Sequence, residues 1–409
     1  MSTSLWKPAP PPPTKLGVYR ILSPKAAVRV SPLQLGGMSL GDKWSSHLGA
    51  MDKESSFKLL DAYYAAGGNF IDTASNYQEE TSEMCIGEWA EQRGIRDQLV
   101  IATKYSANYK INREDIPIKI NYVGNSVKNM HISVEASLKK LRTSYIDILY
   151  IHWWDYEASI EEVMSGLHHL VASGKVLYLG ISDTPAWVVT MANQWARCHG
   201  KTPFAIYQGH WSILERGFER DIIPMARAEG LALAPWGVLG GGRIYTDEEE
   251  ERRKESGENG RILVKTNWKR TSNEVKISRK LEEIAKEVGA KNITAVAIAY
   301  VMHKTPYVFP IIGGRKIEQL YANIEALDIQ LKPEHIRSLE SVLPFDPGFP
   351  HNMIGDGTKE KPLMTGVSTA GHTARWQVVS ATPINAIDNT KKFMDSVYPK
   401  DDGSTNSKL

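Results

Sequence analysis

The chain has 409 residues, of which 42% are hydrophobic and 23% charged, with a formal net charge of +2. That length suits one large α/β barrel or two average domains, and so balanced a charge gives no reason to expect nucleic acid or an anionic membrane as a partner. Two widely separated cysteines, Cys85 and Cys198, make neither a disulfide framework nor a metal spacing, which points to a reducing, cytoplasmic setting.

The N-terminus runs through Lys7, Pro8 and four consecutive prolines, Pro10 to Pro13. Consecutive prolines favour polyproline geometry, so residues 1–27 read as an extended arm and not as a signal peptide. No stretch has the ~18 apolar residues of a membrane span. Residues 28–30 and 33–37 are short strand candidates, followed by a helix that Asp52 leads, with Phe57, Leu60, Tyr63 and Tyr64 on its apolar side. Gly67 and Gly68 end that helix, and Asn69, Phe70 and Ile71 read as a buried strand running into Asp72, Thr73, Ala74, Ser75, Asn76 and Tyr77. A helix over about 81–92 is expected, with Thr81 as N-cap.

The pattern then repeats. Strands are predicted at 98–104, 145–152, 176–182, 205–208, 230–236 and 308–312. Helices are predicted at 133–141, 160–172, 185–199, 218–228, 276–288, 293–303 and 317–326. About eight strand–helix units, with strands apolar on both faces, favour a closed (β/α)8 TIM barrel over an open doubly wound sheet. The barrel is placed at 28–342. Residues 105–128 and 237–270 read as long loops, and 343–409 as a C-terminal extension lying on or near the barrel. The run from Asp247 to Lys254 reads as a solvated helix or loop.

Asp72, Lys104 and His152 each end a different strand, and Tyr77 follows one of them. Strand C-termini of a barrel converge on one face, so these four side chains would share a pocket. A lysine beside Asp72 stays cationic, and its charge near the Tyr77 hydroxyl is expected to lower that phenol towards neutrality. Tyr77 would then pass a proton to a carbonyl oxygen as charge develops there. His152 could polarise the same oxygen or shape the pocket. Taken singly, Asp72 could cap a helix, Lys104 could reach solvent from a strand end, and His152 could be an ordinary packed histidine.

In order and strand placement, Asp72-Thr73-Ala74-x-x-Tyr77 with Lys104 and His152 resembles the tetrad of the aldo-keto reductase superfamily, over roughly residues 28–330. Met51-Asp52-Lys53-Glu54, Thr143 to Asp147, and Tyr178 to Trp187 resemble the fungal aryl-alcohol dehydrogenases within it, from the Pro-rich start onward. The resemblance implies a metal-free barrel that binds NADP(H) across its C-terminal face. It implies that Ser182 and Asp183 hold the nicotinamide amide, although Asp183 stands where the family has Asn. It further implies that Gln208 meets the carboxamide and that the nicotinamide stacks on Trp236. Gly237, Val238, Leu239, Gly240, Gly241 and Gly242 would bring backbone N–H groups to the pyrophosphate. Gly313, Gly314, Arg315, Lys316, Gln319 and Asn323 would hold the adenosine end, with Arg315 and Lys316 on the 2′-phosphate. Gln319 replaces a basic residue usual there.

The implied reaction is reversible reduction of an aryl aldehyde, with Trp44, Trp153 and Trp154 as pocket walls. Two rival readings share the tetrad: a reductase of a bulkier polyketide or terpenoid carbonyl in secondary metabolism, and a redox-sensing regulatory subunit like potassium-channel beta subunits. Tyr300 and Lys304 match the Tyr-x-x-x-Lys spacing of short-chain dehydrogenases but lie in an Ala-rich helix pattern without a glycine-rich turn after an early strand, so they read as packing. His168 and His169, adjacent on a helix, cannot share a face to bind a metal.

Overall fold

The computed structural model describes residues 10–49, 51–256 and 269–355. The far end of the expected C-terminal extension, 356–409, and part of the 237–270 loop fall outside them. Ten strands are present among the described residues: β1 (Arg20–Ser23), β2 (Ala26–Val30), β3 (Gln34–Gly36), β4 (Phe70–Asp72), β5 (Val100–Tyr105), β6 (Ile146–Ile151), β7 (Val176–Ser182), β8 (Ile206–His210), β9 (Ala232–Trp236) and β10 (Ile311–Ile312). The last eight form one sheet in the order β10-β3-β4-β5-β6-β7-β8-β9, every neighbouring pair parallel. A parallel bridge from Leu233 to Val308 closes the ring. The fold is the (β/α)8 barrel that alternation of short apolar strands and helices predicts.

Each strand alternates its side chains between two environments, as period-two geometry requires. Ile71, Ile101, Leu149, Ile151, Leu179, Ile181 and Leu233 face outward into the larger core shared with the helices. Phe70, Val100, Ala102, Ile148, Tyr150, Ile206, Ala232, Ala234 and Phe309 face inward and fill the barrel. One more inward step along each strand reaches Asp72, Lys104, His152, Ser182, Gln208 and Trp236. The site is therefore the top layer of the barrel interior, resting on an apolar layer beneath.

Two expectations about the elements change. The described part of the N-terminal arm is not simply extended: β1 and β2 pair antiparallel, and Leu22, Ala26 and Val30 pack against the inward layer at the end of the barrel away from the site. Three apolar side chains on one face of a hairpin can close the barrel floor, whereas a polyproline segment has no partner for its backbone. The last strand is shorter than predicted, because Pro310 supplies no N–H to a ladder; only its carbonyl is used, accepting from Gln34 N at 2.9 Å.

The helices start where local chemistry allows. The Asp52 carboxylate accepts from Ser55 N at 2.7 Å and caps Lys53–Ala65. Val127–Lys140 begins earlier than its apolar pattern indicates, because Ser126 caps it through Asn129 N. Thr81 is not the cap of Thr81–Arg93; the preceding residue is Glu80, in left-handed conformation. That helix sits hard against the next, since a Cβ on Gly87 would fall 2.3 Å from the Lys140 carbonyl oxygen. The acidic-basic run lies on the surface helix Asp247–Ser256. At the start of the extension, Phe345 lies under the guanidinium groups of Arg216 and Arg220. No helix among the described residues is long and apolar enough to cross a membrane.

Candidate active site

The centre of the site is a buried ion pair. Lys104 Nζ donates to Asp72 Oδ1 at 2.8 Å, to Asp72 Oδ2 at 2.7 Å and to the Thr73 carbonyl at 2.7 Å. The ammonium also interacts with the Tyr77 hydroxyl, and Lys104 and Asp72 are 1% and 2% exposed. From the far side of the barrel, Gln208 Nε2 donates to Asp72 Oδ1 at 2.8 Å. Gln208, expected against the nicotinamide carboxamide, thus also holds Asp72.

Tyr77 stands beside this pair, with Lys104 Nζ 4.9 Å from the centre of its ring. His152 meets the ring edge-on at 5.8 Å between centres, and Trp44 does so at 6.2 Å. Trp153 lies against His152 at 4.7 Å. Trp44 and Trp153 therefore flank the tetrad, while Trp154 packs against the main core and makes no ring contact with Tyr77 or His152. Trp44 is held by the buried Gln78, whose Oε1 accepts from Trp44 N and whose Nε2 donates to the Met38 carbonyl, both at 2.8 Å.

The protonation states follow from burial. Burial works against the Lys104 cation, but Asp72 and the Tyr77 oxygen outweigh it, and the lysine is held above its ordinary value. The expectation for Tyr77 is overturned. Desolvation raises its phenol, Lys104 opposes, Asp72 adds to the rise, and the net shift is upward. The physical reason is burial: desolvation penalises the phenolate by more than the Lys104 charge favours it, and Asp72, in contact with the ammonium, offsets part of that charge. Tyr77 is thus a neutral phenol at pH 7. Burial first, then the Lys104 charge, depress His152 well below its usual range, leaving a neutral imidazole.

Around this centre the other predicted residues take defined places. Asp183 has φ +42°, a left-handed conformation that Asp tolerates better than most residues. Its two carboxylate oxygens each accept from Trp236 Nε1 at 3.2 Å, and Ser182 Oγ donates to it at 3.2 Å. An acceptor at this position therefore orients the indole. Burial raises the Asp183 carboxyl, against the two hydrogen bonds. His210, which the sequence reading passed over, stacks on Trp236 at 4.2 Å and 5°. It lies two residues beyond Gln208 on β8, so strand alternation carries the signal for it.

After β9, Gly237, Gly240, Gly241 and Gly242 all have positive φ, and Cβ atoms on Gly241 and Gly242 would meet nothing within 4 Å. Val238 is buried and Leu239 packs on the core, so only their backbone could face a ligand. After β10, Gly313, Gly314 and Asn323 line a small cavity with Leu35 and Leu59. Gln319 Oε1 accepts from the N–H groups of Arg315 and Lys316 at 2.9 and 3.2 Å and caps Ile317–Ile324. The Arg315 guanidinium lies over Gly49, where any Cβ would fall 1.6 Å from Nη1, and among the described residues no carboxylate pairs with it. An unpaired guanidinium, an open glycine cradle and an oriented indole, all on one barrel face, fit an extended dinucleotide with a terminal phosphate.

The aldo/keto reductase family profile matches residues 32–344. The chain belongs to the aldo/keto reductase family. It is 60% identical over 382 residues, 92% of this chain and 98% of the relative, to the aryl-alcohol dehydrogenase [NADP(+)] of Phanerodontia chrysosporium. It is also 54% identical over 365 residues to the aldo-keto reductase ausK of Emericella nidulans, covering 89% and 90% of the two chains. With norsolorinic acid reductase A of Aspergillus parasiticus the identity is 51% over 346 residues, covering 85% and 86%.

Tyr300, Lys304, His168 and His169 of this aldo/keto reductase lie on helices outside the site. Tyr300 and Lys304 lie on the outer helix Ile293–Lys304, where both engage Glu219 and Glu340 and tie helices together. His168 pairs with Thr202 through Nδ1. Among the described residues no group of three or more His, Cys, Asp and Glu side chains is placed to hold a metal ion.

The depressed His152 ties stability to pH. The unfolded ring titrates near 6.5 while the folded ring stays neutral, so the unfolded state takes up a proton that the folded state does not. This contribution to stability is complete above that value and is lost as pH falls below it. Urea unfolding between about pH 7 and pH 5 should show stability falling with pH, and His152→Gln should remove up to about 1.4 kcal/mol per pH unit from that slope. An unchanged slope would show that His152 titrates normally in the fold.

Proposed function

We propose that this aldo/keto reductase interconverts aryl aldehydes and aryl alcohols with NADP(H), Tyr77 acting as the general acid and base. The observation that carries the reading is the placement of a neutral Tyr77 beside the buried Asp72–Lys104 pair, inside a mouth flanked by Trp44, His152 and Trp153. When bound, NADPH supplies the hydride for the carbonyl carbon. The Tyr77 hydroxyl donates its proton to the carbonyl oxygen as negative charge grows there. The phenolate that results lies next to the Lys104 ammonium, which Asp72 keeps charged in a water-poor layer. Neutral His152 can help by donating an N–H to the same oxygen, without adding charge.

With Tyr77 protonated at neutral pH, the proton for reduction is already in place. Flat indole faces at the mouth suit an aromatic ring. For the cofactor, Asp183 and Ser182 orient Trp236, Gly241 and Gly242 leave room for a pyrophosphate, and Arg315, which no carboxylate pairs among the described residues, offers its guanidinium to a 2′-phosphate. Two separate free thiols, Cys85 and Cys198, accord with a cytoplasmic setting. The polyketide and regulatory-subunit readings are not favoured: the relative at 60% identity is named for aryl alcohols and NADP(+).

Tyr77→Phe should lower turnover of benzaldehyde-type substrates by about 10²–10⁴-fold while leaving NADPH binding close to wild type. Activity at the wild-type level would refute the assignment. Arg315→Ala should raise the KM for NADPH about tenfold or more, because a charged contact to phosphate is lost, and should leave the KM for NADH unchanged. Equal effects on both cofactors would remove Arg315 from the 2′-phosphate site.

A further inference from the structure

The segment that carries Tyr77 is gripped from below by a second buried charge cluster that the proposed chemistry does not use. Glu80 and Glu83, on the same segment, face Lys140 from the end of Val127–Lys140 and Lys110 from the loop after β5. Lys140 Nζ lies 2.7 Å from Glu83 Oε2 and 3.2 Å from Glu80 Oε2. Lys110 pairs with the other oxygen of Glu80. Glu83 Oε1 accepts from Thr103 Oγ1, on β5 next to Lys104, at 2.6 Å. The Glu80, Glu83 and Lys140 side chains are 8%, 0% and 6% exposed. The Tyr109 ring lies between the two lysines, 4.8 Å from each ammonium.

Two details separate this cluster from ordinary helix packing. First, Lys140 Nζ also donates to the Ser75 carbonyl at 3.0 Å. One ammonium thus holds the backbone two residues before Tyr77 and the Glu80 carboxylate three residues after it. Second, Gln78, Glu79 and Glu80 have φ of +52°, +51° and +80°, three successive non-glycine residues in the left-handed region. Such a run persists only where surrounding contacts impose it. Each member has such a contact: Gln78 on Trp44 and Met38, Glu79 accepting from Asn112 Nδ2 at 2.7 Å, and Glu80 on both lysines.

We infer that Lys140 and Glu80 are positioning residues for catalysis: their buried contact clamps the strained 78–80 turn and so fixes the Tyr77 hydroxyl relative to Lys104. Lys110 and Asn112 extend the clamp to the long loop after β5. A displacement of about 1 Å at a proton donor costs up to about 10²-fold in rate, so the clamp acts on kcat and not on cofactor affinity. The inference rests on the proposed role of Tyr77.

Glu80→Gly is the most telling variant. It removes the clamp and relieves the left-handed backbone at that position, while Lys140 keeps Glu83 and Lys110 can turn to solvent. The expected result is a kcat lower by about tenfold or more, an NADPH dissociation constant by tryptophan fluorescence within about twofold of wild type, and faster hydrogen exchange of the 73–80 backbone amides. Glu80→Gln, whose single amide oxygen can accept from Lys140 but cannot also serve Lys110, should restore part of kcat and of the protection. Wild-type kcat or wild-type protection in Glu80→Gly overturns the inference. If the wild-type protein itself fails to turn over aryl aldehydes, the reading of Tyr77 falls, and exchange at 73–80 alone then decides whether the clamp exists.

Discussion

Everything at the mouth of this barrel depends on one ammonium in a place where an unpaired ammonium could not stay. Lys104 is fully enclosed, and a lone charge in such surroundings would lose its proton or draw in water. Asp72 prevents both, with two contacts under 3 Å, and the Thr73 carbonyl accepts from the ammonium as well. Gln208 then occupies one oxygen of the carboxylate. The pair is net neutral, hydrogen-bonded on every side and rigid. Breaking such a buried pair from one side costs about 3–5 kcal/mol. The site is accordingly a structural centre of the barrel as well as a chemical one.

A neutral pair has a different effect on its neighbours from that of a free cation. Tyr77 remains protonated because burial outweighs the residual field of Lys104, and His152 remains neutral because burial and that same field both oppose its charging. Charge enters only when the phenol gives up its proton, and at that moment Lys104 is already placed and desolvated beside it. This is preorganised electrostatic stabilisation: the ammonium is matched to the state that forms, while the resting state stays uncharged.

How much of this was legible in the residue order varies by feature, for physical reasons. The barrel and the four strand-end side chains follow from alternation, because period two determines which residues share a face and strand polarity determines which end they reach. The downward shift expected for Tyr77 had the wrong sign, since strand placement brings a lysine near the tyrosine but does not show how deeply the phenol is buried. Gln208 and Gln319, expected as ligand contacts, also complete hydrogen bonds within the protein. The left-handed run at 78–80, the clamp through Lys140 and the Arg315–Gly49 contact bring together residues up to hundreds of positions apart, or conformations that Gln and Glu do not announce. No local pattern carries them. His210 was the avoidable omission, one inward step beyond a residue already chosen.

Tyr77 rests as a neutral phenol despite a lysine at its side. Ultraviolet difference titration of the cofactor-free protein, with Tyr77→Phe subtracted from wild type, isolates its ionisation. The tyrosinate band of Tyr77 is expected to appear only above the ordinary phenol value of 10.0. A tyrosinate that forms near neutral pH would mean that Lys104 acts as a free cation, and the description of the Asp72–Lys104 pair would be wrong.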